Sequence, residues 1–126
     1  MPDSVIPADL HDFVIRHIDS IAQIEALLLL RRQADQTWDV PTTATRLYVS
    51  EQETLQILSN LCDDGLIACS GGLYRYACAS PENEAMVKRL EQAYANNLIA
   101  LTNIIHSKPR RIREFANAFK LRKDRG

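Results

Sequence analysis

A mainly α-helical fold carrying one small β-hairpin, with long helices after it, is predicted by three observations. Apolar residues recur at spacings of three and four along most of the chain. Helix-start signals are spread at intervals, and "SGG" at residues 70–72 separates two short apolar-aromatic runs, "LIAC" and "LYRYAC". At 126 residues the chain fits one core that removes roughly two-thirds of its extended surface from water, with no room for a separate catalytic domain.

The first helix is expected from Pro7 to Ile18, because Leu10, Phe13, Val14 and Ile18 share a face and proline suits a first turn. Ser20 with Gln23 forms a capping box that opens a second helix, whose Ile21, Ile24, Leu27 and Leu28 make a stripe that Leu29 and Leu30 widen. A helix so widely apolar should be central. Trp38 and Val40 alternate as in a short strand, Pro41 stops any helix running through, and Thr42 or Thr43 caps a brief third helix to Leu47. Ser50 and Glu53 form a second capping box for a helix to about Asp63, buried through Thr54, Ile57, Leu58 and Leu61 and ended by Gly65 in a left-handed conformation.

With Gly71 and Gly72 as turn residues of the hairpin, Cys69 faces Tyr74 and Ile67 faces Tyr76, so Cys69 and Cys78 are not cross-strand partners. Ser80 and Pro81 start a long helix to about Ser107, with Val87, Leu90, Tyr94, Leu98, Leu101 and Ile105 along one face. So long a stripe should seal the core at one end and meet a partner helix at the other, with Asn96 and Asn97 interrupting it. Lys108 and Pro109 break that helix and begin a last one, where Ile112, Phe115 and Phe119 form an apolar face needing cover. The expected organisation is a first unit over 1–80 and a helical dimerisation extension over 81–126.

Charge is unevenly placed. Residues 1–107 hold seven Lys/Arg against fourteen Asp/Glu, whereas residues 108–126 hold eight against two. An acidic body thus ends in a basic tail, suited to phosphates or to another acidic surface. The apolar run "IEALLLL" is too short to span a bilayer, and the first fifteen residues carry no basic or apolar leader, so a cytoplasmic chain without membrane contact is expected. Cys62, Cys69 and Cys78 match neither zinc spacing nor an even disulfide framework and are expected as reduced thiols. His11 and His17 lie six apart, unlike a helical metal pair, and no phosphate loop or nucleophile motif occurs. No catalytic residue, metal or cofactor is therefore expected.

Helix, short strand, helix, "YVSEQETLQILSNLCDDGLI" and a glycine-turned hairpin resembles the winged helix-turn-helix order of bacterial regulators of the MarR and PadR kind. Leu47, Val49, Ser50, Leu58, Leu61, Gly65, Leu66 and Ile67 carry the likeness, which covers about residues 20–78. The ending "IREFANAFKLRKD" resembles the tail of a group of uncharacterised bacterial proteins and implies no function. The likeness implies a homodimer built by the helices after the wing, through Val87, Leu90, Tyr94, Leu98, Leu101, Ile105, Ile112, Phe115 and Phe119.

It also implies that Ser50, Glu51, Gln52, Glu53, Leu55, Gln56 and Ser59 face a groove of DNA. That helix has acidic residues where a DNA reader ordinarily carries Arg or Lys. Two functions follow as expectations. In the first, a dimeric transcriptional regulator reads bases through Gln52 and Gln56 and backbone through Ser50 and Arg75, and Arg110, Arg111, Arg113, Lys120, Arg122 and Lys123 supply positive charge. In the second, the acidic 51–64 helix meets a basic protein partner.

Overall fold

The computed structural model describes residues 6–107. It contains six helices and one antiparallel hairpin: α1 (Ala8–His17), α2 (Ile21–Arg32), α3 (Val40–Leu47), α4 (Glu51–Asp63), β1 (Ile67–Ser70), β2 (Leu73–Tyr76), α5 (Pro81–Asn96) and α6 (Leu98–Ser107). The chain is mainly helical with a small hairpin, as its periodicity predicted. The expectations on Arg110, Arg111, Arg113, Lys120, Arg122, Lys123, Ile112, Phe115 and Phe119 lie outside the described residues.

Central α2 buries Ile24, Ala26, Leu27, Leu28 and Leu30, more than one stripe's worth, because neighbours cover it on several sides. Its start is fixed by Ser20, whose hydroxyl accepts from the Gln23 amide at 3.1 Å. The Gln23 side chain is itself buried and satisfied at both ends: its carbonyl accepts from the Asp19 amide, and its amide donates to the His17 carbonyl, each at 2.8 Å. One glutamine thereby joins the end of α1 to the start of α2.

Helix α3 starts at least three residues earlier than expected. The Asp39 carboxylate accepts from the Thr42 amide at 2.8 Å, so Asp39, not Thr42 or Thr43, is the cap. Pro41 falls in the first turn, where its missing N–H has no helical acceptor to lose. Val40 is therefore helical, and the expected strand shrinks to Trp38, which exchanges two 2.8 Å backbone hydrogen bonds with Tyr74. That bridge ties the segment before α3 to the hairpin.

Helix α4 begins as expected, with Ser50 accepting from the Glu53 amide at 3.0 Å, and buries Thr54, Ile57, Leu58, Asn60 and Leu61. It ends at Gly65, whose φ of 77° is left-handed and whose missing Cβ would lie 3.2 Å from the Ala79 Cβ. The hairpin register pairs Ile67 with Tyr76 and Cys69 with Tyr74, as read from the turn. Gly71 and Gly72 both have positive φ, as a two-residue type I′ turn requires.

The expected single helix to Ser107 is two helices. Asn97 leaves helical geometry, with φ −140° and ψ 43°. Its N–H still donates to the Ala93 carbonyl at 2.7 Å, and its carbonyl accepts from the Leu101 amide at 3.1 Å, so it closes α5 and opens α6. The bend lays both helices against α1. Consequently Val87, Leu90, Leu101 and Ile105, expected as dimer contacts, are buried in the core of their own chain. Tyr94 is half-buried, and Leu98 remains 42% exposed. Over residues 81–107 the expected extension shares one core with α1, α2 and α4.

Candidate functional site

Because α4 packs with Ile57, Leu58 and Leu61 inward, Glu51, Gln52, Glu53, Leu55 and Gln56 are exposed and Ser59 is half-exposed. Ser50 sits at the head of this face, its hydroxyl engaged as the cap. Gln56 donates to the buried Asn60 side chain at 3.1 Å, which holds it along the helix axis. Leu55 is 49% exposed among these polar residues. The result is an acidic helix face with one apolar residue and no cation.

Described residues include seven Lys or Arg, and four have partners away from that face. Arg31 reaches Glu91 and Glu84, Arg32 lies 3.6 Å from Glu91, and Arg89 holds Asp9 at 2.7 Å. Arg46 lies over the Trp38 ring at 5.3 Å. Arg75 is exposed on β2 opposite Ala68, the one cation that the hairpin carries.

The expectation of three reduced thiols is overturned for two of them. Cys62 in the last turn of α4 and Cys69 in β1 form a disulfide, their Cα atoms 6.3 Å apart. The left-handed turn at Gly65 folds the strand back beside the helix end, and this brings together residues whose spacing of seven suggests no bond. Cys78 is the free thiol.

A polar network behind the hairpin had no signal in the sequence. The Tyr76 hydroxyl donates to Glu84 at 2.5 Å, and the Cys78 thiol lies 3.2 Å from the Tyr76 oxygen. Arg31 pairs with the same Glu84 and stands 5.8 Å from the Tyr76 ring centre. The Tyr76 hydrogen bond, helped by Arg31, holds the Glu84 carboxyl below its ordinary range against the opposing effect of burial. Burial pushes both the Tyr76 hydroxyl and the Cys78 thiol upward. These groups stay protonated and serve as fixed donors.

His17 lies 3.2 Å from Asp64 and meets the Phe13 ring at a tilt of 56°, while His11 and His106 are exposed. Among the described residues no cluster of His, Cys, Asp and Glu is arranged to hold a metal ion. Also unforeseen was a cleft of about 320 Å³ whose lining includes Leu28, Leu29, Arg32, Arg46, Tyr48 and Tyr94. Tyr48 stands at its edge, 93% exposed and left-handed at φ 59°. No helix among the described residues is long and apolar enough to cross a membrane. Comparison with protein-family models, with curated proteins and with solved structures finds no match to this chain.

Proposed function

We propose that this chain is a winged-helix interaction module whose α4 face binds a basic surface of another protein. The observation that carries this is the face itself: Glu51, Gln52, Glu53, Leu55 and Gln56 lie open to solvent with no cation among them. A polyanion approaching it meets like charge, which opposes the phosphate contacts that supply most of the affinity of DNA-binding proteins. A basic partner gains Coulomb attraction at the rim and a hydrophobic contact at Leu55. The reading needs no catalysis and suits a cytoplasmic protein.

A dimeric DNA-binding regulator is the second reading. It is favoured by the exposure of Gln52 and Gln56, whose amides suit adenine, and of Arg75 on the wing. Its positive charge would come from the 108–126 segment, as the sequence suggested.

One set of titrations separates the two. Full-length protein is titrated with a fluorescent lysine-rich helical peptide and with mixed-sequence duplex DNA, at low and physiological salt. The interaction module predicts peptide binding that Glu51→Lys with Glu53→Lys abolishes, and no duplex binding that depends on α4. Duplex binding that falls steeply with salt, and whose sequence preference relaxes in Gln52→Ala with Gln56→Ala, would replace it with the regulator.

A further inference from the structure

We propose that Cys62 and Cys69 are a reversible dithiol–disulfide latch, through which a small-molecule thiol couple sets how the hairpin is held against the end of α4. As a regulator of the α4 face it rests on the interaction reading above, whereas the chemistry of the latch stands independently of it. The pair joins two elements that otherwise meet through a short turn, closed by hydrogen bonds from the Gly65 amide to the Cys62 carbonyl and from the Leu66 amide to the Leu61 carbonyl. Beyond Ile67 the burial of β1 fades, and Cys69, Ser70, Gly71, Gly72 and Leu73 are all exposed. The bridge therefore ties the exposed outer half of β1 directly to the helix end, whereas β2 is held there by Tyr74, which lies opposite Cys69 and is buried in the core.

Access favours exchange. Cys69 is exposed and Cys62 half-buried, so an incoming thiolate reaches the Cys69 sulfur first. A dithiol attacks there, the bond between the two protein sulfurs breaks, and its electron pair leaves on the Cys62 sulfur, which takes a proton. The second thiol of the reductant then attacks the mixed disulfide and releases Cys69 as a thiol. Two electrons and two protons pass to the protein, and the reductant departs as a disulfide. Glutathione disulfide reoxidises the pair: one protein thiolate attacks it and releases glutathione, the other attacks the resulting mixed disulfide and releases the second glutathione, and the two electrons leave on those two thiols.

Cys78 does not compete in this exchange. It is half-buried, directed at the Tyr76 hydroxyl and the Leu66 carbonyl, and burial keeps it protonated, so it is a poor nucleophile. The chain thus holds one exchangeable pair and one inert thiol.

The test uses the full chain equilibrated in glutathione buffers of fixed ratio, quenched, unfolded, alkylated and weighed by mass spectrometry. Expected are one label per chain at the oxidising end and three at the reducing end, with a single midpoint and reversal in both directions. In parallel, ¹⁵N amide spectra should change on reduction across residues 62–76 and stay unchanged in α1 and α6. Cys69→Ser should match the reduced wild-type spectrum in every buffer, and where that variant misfolds, reduced wild-type protein alone supplies the comparison. Three labels under oxidising conditions would overturn the latch, as would a bridge that dithiothreitol opens only after unfolding, or reduction that leaves the hairpin amides unmoved. Each of those results leaves the peptide titration of the α4 face to be judged separately.

Discussion

Behind the hairpin, Arg31, Tyr76, Glu84, Glu91 and Cys78 point their polar atoms at one another, joining α2, β2 and α5. On the outward side of α4, Glu51, Gln52 and Glu53 point theirs at water. The two regions differ in what each side chain would lose on substitution. A charge enclosed by its own chain stabilises the fold when paired and costs stability when orphaned, while a solvated charge on a helix face contributes little until a partner arrives. Polar residues whose partners are already present belong to the architecture. Those without partners are where a function must be sought.

The sharpest way to break this contrast is to remove a central member of the enclosed network. Arg31→Ala should cost about 2 kcal/mol in urea denaturation, since it takes the charged donor from Glu84 and the nearer of two from Glu91. The paired change Glu51→Gln with Glu53→Gln should cost less than about 1 kcal/mol, the interaction of two exposed carboxylates with a helix N-terminus. If the α4 pair proved as costly as Arg31, the division between architecture and open surface would fail.

Next in size is the bridge between the two regions. Cys62→Ser should lower stability by about 2 kcal/mol without reductant, from the loop closed by a short disulfide, and by almost nothing in dithiothreitol. Equal losses in both conditions would mean that the sulfur matters for packing alone. A smaller effect concerns acid. Because the folded-state pKa of Glu84 is depressed, its contribution is complete above the ordinary value of 4.5 and is lost as pH falls through the folded value. Glu84→Gln should therefore flatten the acid limb of a stability–pH profile measured by urea denaturation. Tyr48 should give the smallest change, with opposite sign. It occupies a left-handed conformation with almost no burial, so Tyr48→Gly should raise the thermal midpoint, by up to about 1 kcal/mol in stability.

Features legible in the sequence were those decided within a few residues. Ser50 with Glu53, Gly65 and the paired glycines of the turn each act on their immediate neighbours, and the structure has them as read. Asp39 was missed because Pro41 was weighed as a breaker and not as a first-turn residue, although the two signals are local and compatible. The bend at Asn97 was not legible: the stripe from Val87 to Ile105 keeps its spacing through the break, and what turns the chain is the apolar face of α1 waiting on the other side. The Cys62–Cys69 bond and the Arg31 network share that character, since each joins elements whose meeting is a product of the whole fold. Of the candidate site, the buried side of α4 was legible from helical spacing, and its open side was read from the likeness. The burial of four expected dimer-contact residues was not legible, because a stripe looks the same whether it covers its own core or a neighbour's.

Helix α1 is covered mainly by α5 and α6, the last elements described. On a ribosome its Leu10, Phe13 and Val14 emerge well ahead of that cover and must wait until nearly all of residues 81–107 have followed. The earliest of the described helices is therefore among the last of them to be secured. During synthesis its apolar face is surface available to a chaperone, and a chain halted after the hairpin would leave the tunnel still displaying it.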